Sequence, residues 1–157
     1  MLKLTEQIYD AIRRHGEETY PHECCGVLLG GSRIDENGDG VNDVEDAVRA
    51  GNTRTDSARN RYSIAPQELI RIQREARQRS LDIVGFYHSH PDHPAKWSKT
   101  DFAEAHWIGC SYVITSVREG VAAETNSFLL TGTTEENKAF VDEPVEVGVL
   151  EAERCCS

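Results

Sequence analysis

The stretch from Tyr87 to Asp101, YHSHPDHPAKWSKTD, holds His88, His90 and His93 and closes on an aspartate. His88 and His90 are two apart at the end of LDIVGFYHSH, a run rich in β-branched and aromatic residues that predicts a strand. Alternation on a strand puts both imidazoles on one face, about 7 Å apart along the chain. Neutral imidazole nitrogen suits zinc, as does a carboxylate oxygen. Asp101 is expected on a short helix that the loop with Pro91 and Pro94 folds back over the strand end. Two histidines and one carboxylate would leave one tetrahedral position open, as in a catalytic zinc site; a structural site is closed. By itself the His-x-His spacing is equally that of two ordinary strand histidines. His93 lies in the loop, outside the alternation, and reads as a solvent-facing or rim residue. Ser89 points to the other strand face and reads as structural.

The elements that must position these residues follow from periodicity. Leu2 to about Thr19 reads as one helix, with Leu4, Ile8, Ala11 and Ile12 on one face. Tyr20-Pro21 breaks it. ECCGVLLGG reads as a buried strand, residues 32–43 as a polar turn-rich segment, and VEDAVRAGN as a second strand. TRTDSARNRY reads as a loop. Pro66 opens a helix to about Arg79, with Leu69, Ile70, Ile72 and Ala76 on its apolar side. Ser98 is an N-cap for a short helix in KTDFAEAH. SYVITSV and NSFLLTG are further strands, and AFVDEPVEVGVL adds another. The order α-β-β-α-β-α-β-β predicts an α/β (α+β) fold with one mixed sheet and helices packed on it.

Composition narrows the possibilities. The chain has 157 residues, enough for one domain, expected over 1–150 with a loose tail at 151–157. A net charge of −10 argues against a nucleic-acid partner, which needs a basic face. No apolar run approaches the ~20 residues of a membrane span. The N-terminal stretch has no signal-peptide h-region, so a cytoplasmic location is expected. Five cysteines include the adjacent pairs Cys24-Cys25 and Cys155-Cys156 but no CxxC, which leaves a thiolate zinc ribbon without support. Cys24, next to Glu23, invites a cysteine-protease reading with a nearby histidine, which nothing local supports.

HSHPDHPAKWSKTD is His-x-His-Pro, six residues, Ser, two residues, Asp, and so resembles the JAMM motif of the MPN-domain metalloproteases. That family also has a glutamate far upstream, before a run with cysteine and glycine; PHECCGVLLG supplies it as Glu23. The resemblance implies a cytidine-deaminase-like sheet flanked by helices. It implies that His88, His90 and Asp101 ligate zinc, that Glu23 is the general acid/base, and that Ser98 donates to the oxyanion. It also implies cleavage of a peptide or isopeptide bond beside the Gly-Gly end of a ubiquitin-like or sulfur-carrier β-grasp protein. Only FAEAHWIGC separates Asp101 from the next strand, so the long insertions of eukaryotic deubiquitinases have no room, and the chain resembles the compact prokaryotic branch, as does NRYSIAPQEL. The alternatives are a non-catalytic MPN interaction module and a metallohydrolase for small amides on the same fold.

Residues 35–46, DENGDGVNDVED, raise a second possible metal. Asp35, Asn37, Asp39, Asp43 and Asp46 fall on ligand positions of a calcium loop, with Gly40 at its turn. Asn42 and the short Asp46 depart from that pattern. The competing expectation is a solvated hairpin turn.

Overall fold

The computed structural model describes residues 1–52 and 63–148. The expected loop at 53–62 and the tail with Cys155 and Cys156 lie outside the described residues.

The chain opens on a strand. β1 spans Leu2–Thr5 and α1 spans Glu6–Thr19. The expectation of a helix from Leu2 is corrected here, for a physical reason. Leu2 and Leu4 are buried at period two, and Leu2 runs parallel to both β3 (Gly40–Ala50) and β8 (Val145–Gly148). Thr5 then ends the strand and caps the helix, its Oγ1 accepting from the Ile8 N–H at 3.3 Å. Leu4 and Ile8 are four apart, so the apolar spacing ran on across a real boundary.

The remaining elements are β2 (Cys25–Ile34), α2 (Pro66–Gln78), β4 (Asp82–Pro91), α3 (Lys99–Ala103), β5 (Ser111–Arg118), β6 (Val121–Thr131) and β7 (Ala139–Glu143). They build one eight-stranded sheet in the order β7-β6-β5-β4-β2-β3-β1-β8. The segment expected as one last strand is two, split at Pro144, which joins the strands at opposite ends of that order. The sheet is therefore curled until its two margins approach, and the Pro144 carbonyl accepts from the Leu2 N–H at 2.9 Å.

Each face of the sheet buries one long helix. Ile12 of α1 packs with Leu2, Leu4, Leu28, Val84 and Tyr87. Ile72 and Ala76 of α2 pack on Val27, Leu29, Phe86 and Tyr112 on the other side. Leu28, Leu29 and Ile72 are wholly buried, and each contributes roughly 1.5–3 kcal/mol. The β2–β4 register shifts between Leu28 and Leu29, whose partners are Gly85 and Ile83. Val84 is thus the extra residue of a bulge, and it lets Val84 and Phe86 face opposite sides. At Gly26 the Tyr87 ring crosses so close to the backbone that a Cβ would collide with it. The Tyr87 hydroxyl meets His15 Nδ1 of α1 at 2.8 Å.

The calcium loop is not what residues 35–46 form. β2 and β3 continue their pairing to Ile34 and Gly40, leaving a tight turn between. Asp35 Oδ1 is used inside that turn, accepting from the Asn37 and Asp39 N–H groups at 2.9 Å each. Asp43 and Asp46 lie along β3 and pair with Arg33 at 2.6 Å and Arg79 at 2.8 Å. The carboxylates are dispersed along a strand instead of converging, so the turn expectation holds and the calcium one fails.

Candidate metal centre

Three elements meet at the site. β4 supplies His88 and His90, which share a face, while Ser89 turns to the α1 side beside Gly16. β2 pairs antiparallel with β4 so that Cys25 lies opposite His88. Two residues earlier, Glu23 falls on the same side of the sheet as the histidines. Ser89 fastens this approach from behind: its Oγ accepts from the Cys24 N–H at 2.9 Å and its N–H donates to the Cys24 carbonyl at 3.2 Å. Asn52 Nδ2 donates to the Glu23 carbonyl at 3.2 Å. The third element is α3, five residues long, with Ser98 as N-cap. The Asp101 N–H donates to Ser98 Oγ at 3.0 Å and the Ser98 N–H donates to Asp101 Oδ2 at 2.9 Å. This reciprocal capping box starts the helix and fixes the Asp101 rotamer.

The ligand atoms converge. His88 Nε2 and His90 Nε2 are 3.2 Å apart, His90 Nε2 is 3.1 Å from Asp101 Oδ2, and His88 Nε2 is 3.4 Å from Asp101 Oδ1. Tetrahedral zinc with bonds near 2.0–2.1 Å has ligand–ligand edges of about 3.3–3.4 Å. The three contacts are close to that edge length, with Asp101 presenting Oδ2 to His90 and Oδ1 to His88. Tautomers agree. His90 Nδ1 lies 2.9 Å from the Pro94 carbonyl, which can only accept, so Nδ1 carries the proton and Nε2 of the neutral ring offers a lone pair. Burial keeps His88 below the usual imidazole range, against the pull of Asp101. Burial raises Asp101, but the neighbouring His88 and His90 and the Ser98 N–H outweigh it and hold the carboxyl well below the usual range. Two imidazole nitrogens and a carboxylate meeting at 3.1–3.4 Å are a donor set for a cation, and the donors fit zinc.

Glu23 approaches the same centre. A carboxylate oxygen lies within 4.8 Å of ligating nitrogens of both histidines. It is 2% exposed, and Oε1 is buried without a hydrogen bond. Burial pushes the carboxyl up to about 9, with smaller contributions from Asp101 and Glu104. Burial pushes the neighbouring thiols up, Cys24 to about 11 and Cys25 to about 12, which argues against the cysteine-nucleophile reading.

Five residues singled out in sequence thus come together: Glu23, His88, His90, Ser98 and Asp101. His93 does not join them; it is exposed, and its carbonyl is held by Ser116 Oγ at 2.6 Å. Two contributors had no sequence signal. One is the Pro94 carbonyl, a backbone group. The other is Lys138, on β6–β7 side of the site, whose Nζ donates to the Phe102 and Ala105 carbonyls at the end of α3.

Comparison with known proteins agrees with this geometry. The family Prok-JAB, prokaryotic homologs of the JAB domain, matches residues 5–131. The desampylase of Haloferax volcanii is 34% identical over 121 residues, covering 73% of this chain and 80% of that protein. A solution structure of a protein from Salinibacter ruber is 38% identical with a TM-score of 0.67, covering 95% of this chain and 93% of that one. A solution structure from Desulfitobacterium hafniense, at 24% identity and TM-score 0.72 with 95% of both chains covered, shares the fold. With most of its length matched and the His-x-His, Ser and Asp positions gathered at one centre, the chain belongs to the family of prokaryotic JAB-domain homologs.

Proposed function

We propose that this protein is a zinc-dependent peptidase or isopeptidase that cuts after the Gly-Gly end of a ubiquitin-like or sulfur-carrier β-grasp protein. The observation that carries it is the triangle of His88, His90 and Asp101 with the buried Glu23 beside it. The similarity to a desampylase supports the substrate class.

His88 Nε2, His90 Nε2 and an Asp101 oxygen would hold the ion. Bound there, zinc lowers the pKa of a water towards ~7 and polarises the scissile carbonyl. Glu23 then moves the proton. Its Oε1, buried without a hydrogen bond, would take it from the attacking water as a carboxylate. Glu23 next delivers that proton to the leaving nitrogen as the C–N bond breaks, leaving a carboxylate and a free amine. Ser98 Oγ accepts from the Asp101 N–H, so its own O–H points elsewhere and can donate to the oxygen on which charge develops.

The test uses the purified protein and a β-grasp carrier extended past its Gly-Gly. Intact-mass analysis is expected to show loss of the extension with zinc-loaded wild type and none with Glu23→Gln. Equal cleavage by the two would refute the assignment.

A further inference from the structure

α3 carries Asp101 and Ser98, yet it has five residues, too short to persist by its own hydrogen bonds. Its N-terminal end is held by the capping box. Its C-terminal end is held from a different part of the chain. Lys138 Nζ donates to the Phe102 carbonyl at 3.0 Å and the Ala105 carbonyl at 2.8 Å, and it lies 4.9 Å from the centre of the Phe102 ring. The Lys138 side chain is only 5% exposed. A buried ammonium is tolerated because its donors are matched: Glu135 pairs with it at 2.8 Å, in addition to the two carbonyls. Cationic charge at a helix C-terminus also opposes the exposed carbonyl ends. Glu135 in turn holds His106 Nδ1 at 2.7 Å, so the segment following α3 is tied to the same hairpin. That hairpin is itself fixed: Asn137 Oδ1 accepts from the Thr133 and Thr134 N–H groups at 2.8 Å each.

We infer that Lys138 is a positioning residue for the metal centre: anchored on the β6–β7 hairpin, it clamps the far end of α3 and so sets where Asp101 presents its carboxylate to His88 and His90. The inference rests on the proposed role of Asp101 as a ligand. Lys138 acts only through α3 and touches neither histidine.

The experiment measures zinc affinity of the full-length protein by competition with a chromophoric chelator, alongside the thermal midpoints of the apo and zinc-loaded forms. Lys138→Met keeps the aliphatic stem and removes the donors. It is expected to weaken zinc binding by about 10–100-fold, the range for losing an outer support of a ligand, and to shrink the stabilisation that zinc confers. Lys138→Arg, which retains a buried cation, is expected to stay nearer the wild type. Arg79→Met, which breaks the ion pair with Asp46 on β3, is the control and should leave zinc affinity unchanged. If Lys138→Met does not fold, Glu135→Gln tests the same clamp, with an expected loss of a few-fold. Unchanged zinc affinity in folded Lys138→Met, or in Glu135→Gln in its place, overturns the inference while leaving the proposed function intact. A wild type that binds no zinc overturns both.

Discussion

Ser98 and Asp101 define each other's position: the N–H of each donates to the side-chain oxygen of the other, at 2.9 and 3.0 Å. A residue expected to serve the oxyanion therefore also orients a metal ligand. Ser98→Ala should accordingly show two defects. Loss of one oxyanion donor costs roughly 10²–10³ in kcat, and loss of the N-cap costs about 1 kcal/mol of local helix stability. The second effect should appear as faster zinc loss to a chelator. Wild-type zinc retention in Ser98→Ala would show that the cap does not matter to the ligand.

Glu23→Gln keeps shape and burial but removes the proton carrier. Oε1 makes no hydrogen bond that the substitution would remove. The variant should fold with a thermal midpoint close to that of wild type, hold zinc, and lose at least about 10²-fold in turnover, the lower end for a general acid–base group. Zinc content and single-turnover cleavage measured on one preparation check this together.

His15 makes stability depend on pH. Burial, aided by Arg49 and opposed by Glu18, lowers it from 6.5 to about 4. The unfolded chain then binds a proton that the folded chain refuses. Its contribution is fully present above pH 6.5 and is lost as pH falls from 6.5 towards 4. The shift corresponds to about 3 kcal/mol at most. His15→Gln, which can still meet the Tyr87 hydroxyl, should melt with less dependence on pH across that window. Parallel melting curves for the two proteins from pH 7 to 4 would contradict the assignment.

His93 supplies a negative control within the motif. Its side chain is exposed and its role in the loop is played by its carbonyl, so His93→Ala should change zinc affinity and turnover by less than about twofold. His90→Ala, three residues earlier in the chain, should abolish tight zinc binding.

How much of this was legible in the sequence depends on the range of the interaction concerned. His88 and His90 were readable because strand alternation is local, and Ser98 because an N-cap and its helix are contiguous. Glu23 was found through the resemblance alone; the β2–β4 pairing that delivers it spans 63 residues between Cys25 and His88. The start of α1 was misplaced because Leu2, Leu4 and Ile8 satisfy both periods, and only the neighbouring β3 and β8 select the strand. The calcium pattern misled because ligand spacing presumes a loop, whereas Arg33 and Arg79 take Asp43 and Asp46 in an extended ladder. Lys138 is a single lysine in a polar segment; its burial depends on α3 arriving beside it.

The Pro94 carbonyl that holds His90 Nδ1 has one further consequence, for how this stretch can drift over evolutionary time. The acceptor belongs to the main chain, so no side-chain replacement at position 94 deletes it as long as the loop keeps its path. Loop length is what the site cannot relinquish: one residue gained or lost between His90 and Pro94 moves the carbonyl away, frees the ring to flip, and disorders the ligand without altering any of the residues that a motif search would inspect.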